Sequence, residues 1–155
     1  MNSLNILVLI LLCSYLSNVR AKKIITKDTL DSLYEMRFYE QIFHLESKEF
    51  TDIEPLVFWG LDDLRILNLS HNHLTKFQRY TFHGMPNLEI LDLSYNRISF
   101  LDNEIFSKLI SLESLNLRGN RLSYKEPGSS CFTNVGLIEL TSLDLGKFIV
   151  VLNSF

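Results

Sequence analysis

From Leu64 to Leu122 the chain sets out one pattern of apolar and polar positions three times. Leu64, Leu67, Leu69, Asn72 and Leu74 are followed 24 residues later by Leu88, Leu91, Leu93, Asn96 and Ile98. After 24 more come Leu112, Leu115, Leu117, Asn120 and Leu122. The second half of the unit recurs too, with Phe77, Phe82 and Met85 answered by Leu101, Phe106 and Leu109. Leucines two apart occupy one face of a short strand, so the residues between and beside them face the other way, onto the solvent side of a parallel sheet. Strands are predicted near 67–69, 91–93 and 115–117, with an outlying one at 43–45. The Asn differs in kind. Its amide carries two donors and an acceptor, which suits it to sit inside the turn and bond backbone groups that the strand leaves unpaired. Repeated at Asn72, Asn96 and Asn120, it predicts a ladder through the core.

The pattern L-x-x-L-x-L-x-x-N-x-L is the leucine-rich repeat at its longer period. One unit cannot bury its own leucines, so neighbours stack, and the predicted fold is an α/β repeat. It is a curved leucine-rich repeat solenoid with parallel strands on the concave face and irregular or short helical segments on the convex face. The repeat region runs over 40–155. Clear copies occupy 64–87, 88–111 and 112–139, and degenerate copies 40–63 and 140–155. In the first degenerate copy Phe43, Leu45, Phe50, Ile53, Phe58 and Leu61 fall on framework positions, but Lys48 stands where Asn belongs. Lys has no acceptor, so that turn is either looser or its side chain snorkels outward.

After Leu122 the period breaks. Residues 124–130 form a turn-rich insertion, and Leu140, Leu143 and Leu145 arrive 28 residues after Leu112 rather than 24. Such insertions map to loops on one face of a solenoid, often a functional one. Beyond Leu145 the Asn position holds Phe148, and 148–152 are apolar, whereas a solenoid end needs a polar outer face. The expectation is a chain cut short there, marginal or self-associating in isolation.

The N-terminal segments stand apart. Residues 1–21 read as a secretory signal peptide: an apolar run from Ile6 to Leu12, then Val19-Arg20-Ala21 with small residues where a signal peptidase cuts. No Lys or Arg precedes the run, and an uncleaved signal anchor is the alternative, although the run falls short of the roughly 20 apolar residues that span a bilayer. Residues 22–39 then form an N-terminal edge segment, where Leu33, Met36 and Phe38 mimic the leucine spacing. A short helix and an irregular edge strand both fit. Removal of the leader leaves Cys131 as the sole cysteine, so no disulfide closes the ends.

Charge and candidate chemistry narrow the function. A formal net charge of -3 over 155 residues supplies no basic stripe, so no nucleic-acid partner is indicated. No membrane span is predicted in this chain. His71-Asn72-His73 pairs two histidines, but Asn72 points inward and no Cys or carboxylate completes a ligand set, so no metal or other cofactor is expected. His44, His71, His73 and His83 are conceivable endosomal pH sensors, with role-free surface histidines the commoner case. Cys131 has no evident activating base. No phosphate loop, catalytic triad order or acid pair appears, so no catalytic residue is assigned and the chain is not expected to be an enzyme.

The phrases 88–96, LEILDLSYN, and 115–120, LNLRGN, resemble the Toll and Toll-like receptor ectodomains among extracellular leucine-rich repeat proteins. That resemblance, carried by 64–122 with weaker flanks from 40 to 145, implies a horseshoe that binds a ligand or a second receptor. It departs from the family in lacking cysteine-rich caps, a membrane span and a cytoplasmic signalling domain. The expected function is an extracellular recognition module of innate immunity, a fragment of such an ectodomain or a short secreted form. Its partner would be a protein, a glycan or another microbial ligand, or a receptor chain. The alternative is a structural or adhesion protein of matrix or cell surface. The chain would be secreted, or would belong to the ectodomain of a cell-surface or endosomal receptor. Candidate ligand-binding residues are the outward positions of the strands: Ile66, Asn68 and Ser70; Ile90, Asp92 and Ser94; Ser114, Asn116 and Arg118. His44 and Glu46, and Ser142 and Asp144, extend the same columns. Asn68-Leu69-Ser70 is the only N-x-S/T sequon, so Asn68 is also the candidate glycosylation site. Its exposure favours occupancy, which would leave partners the insertion or a lateral edge; a bare Asn68 would leave the concave sheet.

Overall fold

Short strands separated by one turn of the solenoid have little to hold them except their neighbours, and the architecture shows what each neighbour supplies. The computed structural model describes residues 22–34, 41–102, 104–122 and 142–144. In chain order these form β1 (Ile24–Ile25), helix α1 (Lys27–Tyr34), β2 (Ile42–His44), β3 (Asp52–Ile53), β4 (Ile66–Asn68), β5 (Ile90–Asp92), β6 (Ser114–Asn116) and β7 (Ser142–Asp144). Five of the strands make one parallel sheet in the order β2-β4-β5-β6-β7. The register follows the sequence period. Phe43 pairs with Leu67, Leu67 with Leu91 and Leu91 with Leu115, each 24 residues on, and Leu115 pairs with Leu143, 28 on. The longer last step is therefore absorbed outside the sheet.

Each strand begins one residue earlier than the leucine spacing predicts. It centres on the middle leucine of the motif, because the chain is already turning at the next. Leu69 N–H still reaches Asp92 O at 2.8 Å, but Ser70 N–H is taken by the Asn68 side chain at 3.0 Å. The leucines point into the body. Leu64, Leu67, Leu69 and Leu74 are buried, as are their successors through Leu117. Each such side chain contributes about 1.5–3 kcal/mol relative to exposure. On the convex side Phe58, Phe82 and Phe106 form a spine, with ring centroids 6.5 Å and 5.5 Å apart. Rungs approach closely there: a Cβ on Gly84 would lie 2.5 Å from the Cα of Trp59.

The asparagines tie successive rungs together. Asn96 donates from Nδ2 to Leu93 O and Ser94 O of its own turn and to Leu69 O of the preceding rung, at 2.9–3.3 Å. Its Oδ1 accepts Leu74 N–H of that preceding rung at 3.0 Å. Asn72 repeats the scheme on Leu45 O, Leu69 O and Ser70 O, and accepts from both Lys48 and Phe50 N–H. Asn120 does the same for Leu93 O, Leu117 O and Ile98 N–H. This resolves the place of Lys48. Because each Asn serves the rung before it, the rung of β2 is served by Asn72, and the first rung of the sheet has no predecessor for an amide at 48 to bond. Ahead of each Asn position the backbone turns left-handed, at Ser47, His71, Tyr95 and Gly119 with φ of 52–73°.

The N-terminal segment adopts the helical alternative. Thr26 caps α1, its Oγ1 accepting Thr29 N–H at 3.2 Å and its carbonyl accepting Leu30 N–H, while Leu30 is buried in the core. Ahead of the cap, β1 pairs in parallel with β3 as a separate two-stranded sheet. The spacing of leucines gives no sign of that pairing. The leader at 1–21, the leucine-like spacing at Met36 and Phe38, the insertion at 124–130, Cys131 and the apolar end at 148–152 lie outside the described residues.

Replacing Asn96 by Leu strands several buried backbone groups at once, each worth about 1–3 kcal/mol when unsatisfied. A loss of about 3 kcal/mol or more is expected in chemical denaturation, and an unchanged midpoint would count against the ladder.

Candidate ligand-binding face

A three-residue strand offers two outward side chains, so the concave face of the described rungs consists of two columns. The first holds Ile42, Ile66, Ile90 and Ser114, which are register partners across β2, β4, β5 and β6. Ile42 and Ile90 are 41% and 40% exposed and Ile66 is half-buried, so three isoleucines in line face water. Isolated surface isoleucines are ordinary, but a contiguous apolar column is the kind of feature that marks an interaction site. Ile42 escaped the sequence reading because it precedes the first framework residue of a degenerate copy; counting 24 back from Ile66 would have found it.

The second column holds His44, Asn68, Asp92 and Asn116. Three of these have structural work of their own. Asn68 Oδ1 accepts Ser70 N–H, Asp92 Oδ1 accepts Ser94 N–H at 2.8 Å, and Asn116 Oδ1 accepts Arg118 N–H at 3.1 Å. Each closes the turn that ends its strand, as Asn and Asp side chains do two residues ahead. Asn116 Nδ2 also donates to Asp92 Oδ2 at 3.3 Å. His44 Nδ1 lies 3.5 Å from Glu46.

Two of the predicted contact residues are misplaced. Ser70 and Ser94 are 7% and 3% exposed and do not belong to the water-facing surface. Strand alternation was carried one residue too far: by Ser70 the chain has turned inward, and the Ser70 carbonyl accepts both Asn72 Nδ2 and Ser47 N–H. Arg118, the third residue of that row, is exposed. Ser114 and Asn116 are half-buried on the face, and β7 pairs beyond them. Along the N-terminal lip of the sheet, Arg65 and Glu89 form an ion pair at 2.7 Å.

The histidines of the 71–73 segment do not converge. His71 is exposed and stacks on Tyr95 with centroids 4.5 Å apart, and His73 is half-buried, its N–H donating to Phe50 O. Among the described residues no group of three or more His, Cys, Asp or Glu could hold a metal ion, and no helix is long and apolar enough to cross a membrane.

The leucine rich repeat family model matches three overlapping segments, 41–98, 63–122 and 86–147. The chain belongs to the leucine rich repeat family. No curated protein matches it. Among solved structures it is similar to the TLR13 chain of a TLR13–ssRNA13 complex, at 28% identity and a TM-score of 0.47. That alignment covers 80% of this chain and 20% of the other, so the chain spans about one fifth of the TLR13 chain's length.

On the convex side His83 meets Tyr80 edge-on at 4.8 Å. Burial holds its imidazole below the ordinary value of 6.5, and the charges of Lys108 and Arg79 push in the same direction. A histidine whose folded pKa is depressed favours the neutral form in the fold. Its contribution is present above the ordinary value and is lost as pH falls through the lower folded one. The melting temperature should therefore drop between about pH 7.5 and about pH 5, and His83→Gln should reduce that drop. An identical pH slope in the variant would remove His83 from the account.

Proposed function

We propose that the chain is an extracellular recognition module that binds a protein or microbial ligand on its concave sheet, with a role in innate immune recognition like that of Toll-like receptor ectodomains. The carrying observation is the Ile42–Ile66–Ile90 column. These side chains face water and pack into no core, whereas the neighbouring Asn68, Asp92 and Asn116 are engaged in closing turns. Family membership supports a binding rather than a catalytic reading, and the apolar leader at 1–21 supports secretion. Within the face, Ile66 and Ile90 supply apolar contact and Ser114, Asn116 and Arg118 extend it with polar groups.

Asn68 decides between surfaces. A glycan there would stand between His44 and Asp92 and shadow Ile66 and Ile90 beside it. In this reading the binding form of the protein carries a bare Asn68, and the concave sheet is the site. Protein from secreting cells should begin near Lys22 and yield an Asn68 peptide of unmodified mass before and after glycosidase. A stoichiometric glycan at Asn68 would move the site to the lateral edge or to the insertion.

Ligand contact is tested on an array of extracellular proteins and microbial surface fractions. Ile66→Ser with Ile90→Ser should weaken capture about tenfold or more, the equivalent of about 1.4 kcal/mol. The melting temperature should change little, since serine already occupies the equivalent place at Ser114. Undiminished capture by the folded double variant would rule out the concave column.

A further inference from the structure

We propose that the isoleucine column seats a single amphipathic α-helix of a protein partner, laid across the strands with lysine or arginine on the flank facing Asp92. The proposal rests on the concave sheet being the binding face and adds what that face accepts. Ile42, Ile66 and Ile90 stand on consecutive hydrogen-bonded strands, and such strands lie about 4.8 Å apart. Their side chains therefore mark a line at about 0, 4.8 and 9.6 Å along the solenoid. A helix rises about 1.5 Å per residue, so residues i, i+4 and i+7 of one face fall at about 0, 6 and 10.5 Å. The two series stay within about 1.2 Å of each other over all three rungs. An extended segment laid the same way offers same-face side chains every 6.6 Å or so, and is out of step by about 3.6 Å at the third rung. The column then changes from Ile90 to Ser114. The apolar seat is three rungs long, which corresponds to two turns of helix.

Charge selects the flank. The Asp92 carboxylate accepts from Ser94 N–H and Asn116 Nδ2 and forms no ion pair among the described residues. Across the column, the one lip cation beside the seat, Arg65, is matched by Glu89 at 2.7 Å. Arg118 lies past β6, beyond the end of the isoleucines. The seat thus presents an uncompensated negative charge along one side and a neutralised pair along the other. A cationic helix flank complements it, whereas a polyanion finds no basic row.

The test uses the secreted, folded chain and three labelled synthetic peptides in fluorescence anisotropy. The first is a side-chain-stapled helix with leucines at i, i+4 and i+7 and lysines along one flank. The second replaces those lysines with glutamine. The third has the composition of the first with leucine and lysine alternating, which favours an extended strand. The lysine helix should bind most tightly, and Ile66→Ser with Ile90→Ser should weaken it about tenfold or more. Asp92→Asn keeps the turn-closing acceptor, as Asn68 and Asn116 do, and should weaken the lysine helix but not the glutamine helix. The helix proposal is overturned if the alternating peptide binds as tightly as the stapled one, or if the lysine helix fails to bind at millimolar concentration. If the isoleucine variants still abolish capture of extracellular ligand in that case, the concave reading survives its failure. If capture also persists in the variants, both fall.

Discussion

The amide of one asparagine, bonded to two rungs at once, is the contact on which the rest of this fold depends. A strand of three residues has too few ladder bonds to define its own position, and the turn that follows leaves carbonyls and N–H groups facing a dry interior. Asn96 answers both problems, because Nδ2 meets carbonyls of its own turn and of the rung before, while Oδ1 takes an N–H of the rung before. Leucine burial supplies most of the driving force, but it is non-directional and would tolerate slippage between rungs. The buried amides remove that tolerance, since a slipped register would leave them and their backbone partners unpaired.

Much of this was legible from the sequence because the framework is periodic. The leucine spacing located the sheet, its parallel sense and the inward Asn, and was off by a single residue at the strand ends. What escaped had no periodic mark. The pairing of β1 with β3 depends on two isoleucines, Ile24 and Ile25, that belong to no copy of the motif. Ser70 and Ser94 were placed on the face because alternation was applied beyond the strand, where an Asx turn had already redirected the chain. Ile42 was missed because a degenerate copy has no leading leucine to anchor the count. The apparent defect at Lys48 was visible, but its harmlessness was not, since that depends on the direction in which each Asn reaches.

The concave surface divides its labour unevenly. Of its two outward columns, the polar one is largely engaged in closing turns, so substitution there risks confusing loss of contact with loss of shape. The apolar column carries no such duty. An inspection of the sequence for charged or polar contact residues would have chosen the wrong column, because polarity on this face reports local backbone chemistry as much as recognition.

The phenylalanine spine has a mechanical meaning. Its rings stand 6.5 Å and 5.5 Å apart on the convex side, while the strands opposite are held at the closer spacing of a hydrogen-bonded sheet, about 4.8 Å. Every rung is therefore a wedge, thick at the ring and thin at the strand, and the radius of the horseshoe is set by the difference. A smaller side chain at Phe82 would let the wedges close up and open the arc, shifting the relative tilt of Ile42, Ile66 and Ile90 without touching them. The shape of the face is thus adjustable from the opposite side of the molecule, through side-chain volume alone.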